Sequence, residues 1–329
     1  MNNKQRKEKI AAVVVTYNRK ELLKECLEGL LNQTYPLDAI IVIDNASTDG
    51  TPEFLQKNGY LDNLKIDYIR LTENAGGAGG FYEGVKRGCE KGYDWLWLMD
   101  DDAEPKTDAL EKLSRYFNYK NISALAGSVI LKNNEISYTH RGYFNCKNLL
   151  NFIIKSTKVV SDKSYKNDYI EIDMASFVGI LISTIAIKKI GYPQKEFFIH
   201  YDDVEYCIRL RKVGKILLIP NSLIIHKDES GKDKIEKNFL GRKLLRIPYN
   251  KSWITYYDKR NMIWMSKKYS ENRLIFYLGV FKEFIKSTIA VLVYDDYKIK
   301  RINLILNAYI DGLRGNFDNE KPKKLLYTN

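Results

Sequence analysis

Four apolar runs in the first hundred residues, separated by stretches with helical spacing, restrict this chain to an α/β sheet that is mostly parallel. Ile10 to Thr16, Ala39 to Ile43, Ile66 to Leu71 and Tyr93 to Met99 are each five to seven residues long. Runs of this length read as strands buried on both faces, which need crossover helices between them. The gaps supply the helices: Glu21, Leu22, Leu23, Cys26, Leu27, Leu30 and Leu31 recur at helical spacing, Thr51 to Lys57 is a short helix, and Gly77 to Lys91 reads as a helix despite its glycines. In such sheets ligands bind beyond the carboxyl ends of the strands. Thr16-Tyr17-Asn18, Asp44-Asn45 and Asp100-Asp101-Asp102 all fall there.

The last of these tips is the most informative. Trp95 to Met99 is a buried-strand pattern that ends in three consecutive acids. Clustered carboxylates repel one another and resist desolvation, and a divalent cation removes that conflict. Hard oxygen ligands suit Mg²⁺ or Mn²⁺, and such an ion can clamp a diphosphate. A solvated acidic loop capping the next helix is the plainer reading of the segment alone. Phe197 to Glu205 repeats the anomaly, with Asp202-Asp203-Val204-Glu205 opening a helix. A carboxylate there either caps the helix or serves as a general base beside a metal–phosphate. His226 ends a short strand; a lone histidine is more often structural, yet a neutral imidazole could complete a shell with Asp100 and Asp102. Asn74 and the glycines after it precede a helix, where backbone can approach an anionic ligand, but they lack the dinucleotide fingerprint.

Farther on, Ala124 to Leu131 and Glu135 to Tyr143 read as a strand pair joined by Asn133-Asn134. Lys147 to Asp168 reads as a polar loop, Ser176 to Ser183 as a short apolar segment and Val204 to Val213 as an amphipathic helix. Ile216 to Ile219 and Ser222 to His226 read as two strands around Pro220. Composition shifts at Lys227: Lys227 to Arg246 is strongly charged and reads as a linker or flap, and helical patterns run from Lys251 to about Gly315. The expected division is a catalytic domain over 1–230 and a helical region over 231–329.

The net charge of +12 admits nucleic acid, anionic lipid or anionic substrates as partners. No RNA-binding aromatic signature accompanies the basic residues, so nucleic acid is not expected. Their density after Lys227 points to an anionic membrane surface. Ile275 to Tyr294 is apolar and aromatic but carries Lys282, Glu283 and Lys286. That pattern fits an amphipathic helix at a bilayer surface, or equally one packed on its own protein or on a second subunit. Cys26, Cys89, Cys146 and Cys207 lack CxxC spacing and read as reduced structural thiols. The polar start of the chain lacks the apolar core of a signal peptide, and no run is long and apolar enough to span a membrane. These features lead to the expectation of a cytoplasmic protein, peripheral on the inner face of the cell membrane.

Val14-Val15-Thr16-Tyr17-Asn18-Arg19, Ile43 to Thr51, Asn74 with its glycines, Asp100-Asp101-Asp102, Asp202-Asp203-Val204-Glu205 and His226 together resemble a family-2 glycosyltransferase of the GT-A fold. The order and spacing match over roughly Ile10 to Asp228. The triple-Asp and Asp-Asp-Val-Glu versions, with Asp311-Gly312-Leu313-Arg314-Gly315, further resemble bacterial galactofuranosyl- and rhamnosyltransferases. The resemblance implies that Thr16 and Tyr17 border the nucleotide base, that Asp44 bonds base or ribose, and that Asn74 lies near the nucleotide. It implies Asp100, Asp102 and His226 as ligands of Mn²⁺ or Mg²⁺, Asp101 beside the donor sugar, Asp203 as catalytic base and Asp202 as its acceptor-binding neighbour. The implied reaction is inverting transfer, with galactofuranose from its UDP donor as the first expectation and rhamnose from dTDP-rhamnose as the alternative. The acceptor would be a glycan or lipid-linked saccharide in cell-surface polysaccharide synthesis. Galactofuranan polymerases carry paired tryptophans before the base motif; Asp173 to Gly179 stands there instead, which implies a different acceptor pocket. A sugar nucleotidyltransferase would carry a basic Gly-rich loop after the first strand, and Thr16 to Arg19 is not one. A non-catalytic glycan-binding scaffold is the reading from another class, against which the intact acid and histidine set argues.

Overall fold

The computed structural model describes residues 8–144, 158–227 and 234–327, and the chain divides into two compact units. The first comprises Met1–Tyr143, Val159–Lys195 and Asp202–Lys227; the second comprises Phe144–Lys158, Glu196–Tyr201 and Asp228–Asn329. Cys146 and the first half, 147–157, of the polar loop expected over Lys147 to Asp168 lie outside the described residues.

The first unit opens with the expected alternation: β1 (Ile10–Thr16), α1 (Lys20–Leu31), β2 (Ala39–Asp44), α2 (Thr51–Lys57), β3 (Ile66–Arg70), α3 (Gly76–Glu90) and β4 (Trp95–Asp100). It continues through β5 (Ala103–Pro105), α4 (Ala109–Ser114), β6 (Ile122–Ile130) and β7 (Arg141–Tyr143). After β8 (Lys158–Val159) come β9 (Ile170–Ile172), β10 (Met174–Ala175), β11 (Ile180–Ser183), α5 (Thr184–Ile190), α6 (Asp202–Leu210) and β12 (Lys215–His226). The main sheet runs β3-β2-β1-β4-β11-β6-β12-β5, with β9 also paired to β12. β1 pairs in parallel with β2 and β4, and β2 with β3. β11 is antiparallel to both of its neighbours, β4 and β6. Because the chain builds outward from β1 through β2 and β3 and then returns to β4, the crossovers diverge between β1 and β4. That divergence opens a crevice at their carboxyl ends. Val15 sits in register with Asp100 there.

Every residue of β1 and β2 is buried, which explains their unbroken apolar pattern. Helix α3 lies against β1 and β4 through a row of small residues. A Cβ at Gly80 would meet Val15 Cγ1 at 2.5 Å, one at Gly84 would meet Val13 Cγ1 at 2.3 Å, and one at Gly88 would meet Leu96 Cδ2 at 2.5 Å. These glycines lower helix propensity, yet they allow backbone-to-sheet contact that no other residue permits.

Three expectations are corrected. Glu135 to Tyr143 does not form a strand paired with β6. Beyond one bridge, Ile130 to Ile136, the segment turns through a 3₁₀ helix at Tyr138–His140, and β7 pairs with β10. β12 lines one edge of β6, and β11 holds the other at Ala124–Ala126; the short remainder of that edge takes the Ser137 amide at Val129 and the Arg141 guanidinium at Gly127 in place of a full partner strand. Ile216 to His226 is one strand, not two, with a bulge between Ile219 and Leu223 that absorbs Pro220. The charged segment after Lys227 holds a hairpin of β13 (Ile235–Phe239) and β14 (Arg242–Arg246). Its turn residues Leu240 and Gly241 both have positive φ, 47° and 77°, the pairing a tight hairpin needs.

The described residues of the second unit also form α7 (Trp253–Tyr269), α8 (Arg273–Tyr294), α9 (Lys298–Arg314) and α10 (Lys321–Tyr327). Met262, Ile263, Phe276, Val280, Ile305 and Tyr309 form one core cluster. The Asp311 to Gly315 motif works structurally. Asp311 accepts from Tyr256 and Lys321, each at 2.5 Å, and Gly315 caps α9 at φ 72°. On α7, Arg260 and Asn261 are fully buried. Asn261 Nδ2 donates to the carbonyls of Phe197, Ile199 and His200 at 2.9–3.0 Å, and Arg260 donates to those of Glu196 and Phe197. The clamped segment holds Phe198, His200 and Tyr201 at φ 65–69°, a costly conformation for side chains of this size.

Candidate active site

The site is built at the β1–β4 crevice of the first unit. Strand β4 delivers Asp100, Asp101 and Asp102, and the end of β12 delivers His226. Carboxylate oxygens of Asp100 and Asp102 and a ring nitrogen of His226 all lie within 4.8 Å of one another. His226 Nε2 is 3.1 Å from Asp102 Oδ1, and its ring meets that of His140 edge-on at 4.9 Å. Arg19, just past β1, donates to Asp102 Oδ2 at 2.9 Å and reaches Asp101 Oδ1 at 3.4 Å. The Thr16 hydroxyl donates to Asp101 Oδ2 at 2.7 Å.

The charges carry the strain expected of clustered acids. Removal from water, with Asp102 and Asp101 close by, pushes the Asp100 carboxyl up to about 7. Burial lifts Asp101 to about 6 against the pull of Arg19 and Thr16. Burial also works against the Asp102 charge, but His226 and Arg19 outweigh it and hold this group below its ordinary range. Two oxygen donors and one imidazole nitrogen, converging on a point that is electrostatically short of positive charge, fit a hard divalent cation.

The base motif opens α6. Asp202 is buried, and desolvation, Asp203 and Asp100 raise its carboxyl well above the usual range. Asp203 is raised to about 6, chiefly by burial, while bonds from backbone amides and the charge of Arg141 pull it down. Asp203 Oδ1 accepts from the Val204 amide at 2.6 Å. Arg141 is itself buried, lowered by desolvation to about 10, and held by the carbonyls of Gly127, His140 and Val178 at 2.7–2.8 Å.

The remaining sequence-derived residues fall around the strand tips with different degrees of exposure. Tyr17 is 43% exposed, whereas Thr16 is buried and committed to Asp101. Asp44 has no exposure: its oxygens accept from the Ser47 amide at 2.8 Å and from the Tyr68 hydroxyl at 2.6 Å. Asn74 is exposed and accepts from the Gly76 amide at 2.8 Å. The sequence marks Asn45 only as part of a strand tip and Arg19 only as part of a motif, and it gives no role to Tyr68 or Arg141. Asn45 is 2% exposed; its Nδ2 donates to Gly76 and its Oδ1 has no hydrogen-bond partner among the described residues. Arg19 could have been inferred, since a cation just beyond β1 answers the acids beyond β4.

The sequence profile of glycosyl transferase family 2 matches residues 11–190. The chain belongs to glycosyltransferase family 2. The chain is similar to the galactofuranosyltransferase GlfT1 of Mycolicibacterium smegmatis, 29% identical over 63% of this chain and 67% of that protein. The dTDP-rhamnosyl transferase RfbF of Shigella flexneri is 25% identical over 93% of this chain and 96% of its own length. Among solved structures, the mannosyltransferase PcManGT of Pyrobaculum calidifontis, in complex with GDP-Man and Mn²⁺, superposes with a TM-score of 0.53. That match covers 98% of this chain and 74% of the other at 14% identity, so it bears on the fold alone. This family-2 glycosyltransferase has the GT-A fold, a mixed and mostly parallel central sheet flanked by helices with further helices at its carboxyl end.

Proposed function

We propose that this glycosyltransferase is a metal-dependent inverting enzyme that moves galactofuranose from its UDP donor onto a saccharide acceptor of the cell envelope. The observation that carries the reading is the convergence of Asp100, Asp102 and His226 in the same unit as a buried base motif. These three residues would hold a divalent cation, Mn²⁺ or Mg²⁺. That ion supplies positive charge against the departing diphosphate. Arg19 supports the arrangement by fixing the Asp102 oxygen that does not face His226.

Asp203 is the proton acceptor. A carboxyl with a pKa of about 6 is ionised at neutral pH yet basic enough to take a proton from the attacking hydroxyl. Arg141 keeps it from rising further, and Asp202 beside it bonds the acceptor's hydroxyl groups. Attack from the face opposite the nucleotide inverts the anomeric centre. Tyr17 offers an exposed ring for the base, and Asp101, aligned by Thr16 and Arg19, faces the donor sugar. Asn74, and Asn45 through its free amide oxygen, would contact the nucleoside. Asp44 would join them by exchanging its bond from Tyr68. We further assign the catalytic domain to residues 1–230 and a surface-contacting helical region to 231–329, with a lipid-linked acceptor presented at the inner membrane face.

A dTDP-rhamnose donor is the second reading, favoured by the near full-length alignment with a rhamnosyltransferase. Purified protein assayed against UDP-galactofuranose and dTDP-rhamnose, with Mn²⁺ and then with excess chelator, separates the two. Metal-dependent release of one nucleotide diphosphate supports the matching donor. Failure to bind either nucleotide sugar with Mn²⁺ present defeats the enzymatic reading in favour of a glycan-binding scaffold.

A further inference from the structure

Helix α8 is apolar on two faces, and only one of them is used within the second unit. Phe276, Val280 and Val291 enter the core formed with α7 and α9. On the other side Leu274, Leu278, Phe281, Ile285, Ile289 and Leu292 are 41–70% exposed. Their spacing of three or four residues places all six on one stripe, about 27 Å long at the helical rise. With these fractions exposed, the stripe offers roughly 700 Å² of apolar surface, more than monomers ordinarily leave in water. An apolar helix face of this length is normally covered by protein or by lipid. Among the described residues no helix is long and apolar enough to cross a membrane, so enclosure by spanning is not available to α8.

Charge identifies the occupant. Residues 228–329 contain 21 Lys and Arg against 12 Asp and Glu, so this part carries +9 of the chain's +12. Exposed Lys282 and Lys286 run along one border of the stripe. A second copy of the chain would bring a like-charged surface against this one. An anionic lipid surface satisfies both halves of the pattern, taking apolar side chains to the depth of the headgroups and lysines at their level. We propose that the outer face of α8 is a monotopic docking surface for anionic bilayers, with the helix lying in the membrane plane. The proposal deepens the reading of a membrane-presented acceptor by naming the segment that makes the contact. It requires neither nucleotide nor metal.

The test is co-sedimentation of the full-length protein with phosphatidylglycerol-rich vesicles and with pure phosphatidylcholine vesicles, without donor, acceptor or metal. Binding should favour the anionic vesicles and weaken as salt is raised. Phe281→Glu with Ile285→Glu should abolish it, and Lys282→Gln with Lys286→Gln should weaken it by roughly 30-fold, at about 1 kcal/mol per lysine. Circular dichroism and nucleotide binding establish that the variants remain folded, and the Glu pair should leave transfer to a water-soluble acceptor unchanged. Absence of binding to anionic vesicles, or equal binding by the Glu pair, overturns the proposal. So does a concentration-dependent dimer in solution that the Glu pair dissolves, since the stripe would then be a self-interface. Because the vesicle assay contains no substrate, its failure leaves the catalytic reading standing, and a failed transfer assay leaves vesicle binding to be judged separately.

Discussion

Replacing Asp203 by Asn should abolish transfer and at the same time make the protein more stable. Burial raises this carboxyl from 3.8 to about 6, so the folded state binds its proton more tightly than the unfolded state does. Below pH 4 the group is neutral in both states and the substitution should be neutral. Between pH 4 and pH 6 the unfolded chain ionises first, and wild-type stability should fall relative to the variant. Above pH 6 the difference should level off at about 3 kcal/mol, from a shift of roughly 2 pH units at 1.36 kcal/mol each. Asp203 keeps partial contact with solvent, so about 2 kcal/mol is the figure to expect. For a unit of this size that is a rise of about 4–8 °C in the unfolding midpoint. Asn retains an oxygen for the Val204 amide, so little native bonding is lost. The assay is thermal unfolding of both proteins from pH 3.5 to pH 8, without metal, beside initial rates of transfer. Equal midpoints at pH 8, or an advantage that persists at pH 3.5, would refute the claim that a desolvated charge sits here. Retained turnover would remove Asp203 from the base role.

Other consequences are open to measurement. The acid limb of kcat/KM should fall near pH 6, and Arg141→Met should move it upward, because a cation that favours the Asp203 anion is gone; an unmoved limb would mean another group accepts the proton. Asp102→Ala should weaken Mn²⁺-dependent nucleotide binding by at least about 100-fold in calorimetric titration while nucleotide binding without metal changes little; unchanged affinity would exclude Asp102 from the metal shell. Asn261→Ala leaves the carbonyls of Phe197, Ile199 and His200 without their amide donor and should cost about 2–4 kcal/mol, read by denaturant unfolding.

Legibility in the sequence followed burial. Strands β1, β2 and β4 and the acids after β4 could be read because an enclosed strand has an unmistakable apolar run, and charge at its end is an anomaly. The hairpin of β13 and β14 could not, since Ile-Glu-Lys-Asn-Phe is mostly exposed and shows no alternation to mark a buried face. Its register depends on the two turn residues alone. The expected partner strand at Glu135 to Tyr143 had suitable residues but only the short edge of β6 beyond Ala126 to join, because β11 takes the rest, which is a property of the assembled sheet. Arg141 was hidden for a similar reason: a single basic residue in a polar stretch gives no sign that its guanidinium will be enclosed by main-chain carbonyls. Asp202 and Asp203 were legible as a motif, whereas the pKa that suits Asp203 to its proposed task arises only from packing.

The contact between α3 and the sheet has a consequence for any attempt to re-engineer donor choice. Where Gly80, Gly84 and Gly88 meet Val15, Val13 and Leu96, a single methyl group would lift the helix off its support. Its amino end, where Asn45 just past β2 donates to the Gly76 carbonyl, would move with it. In the proposed donor site, the room for a nucleoside would be governed partly by three positions buried behind it, and libraries aimed at specificity should leave those positions alone.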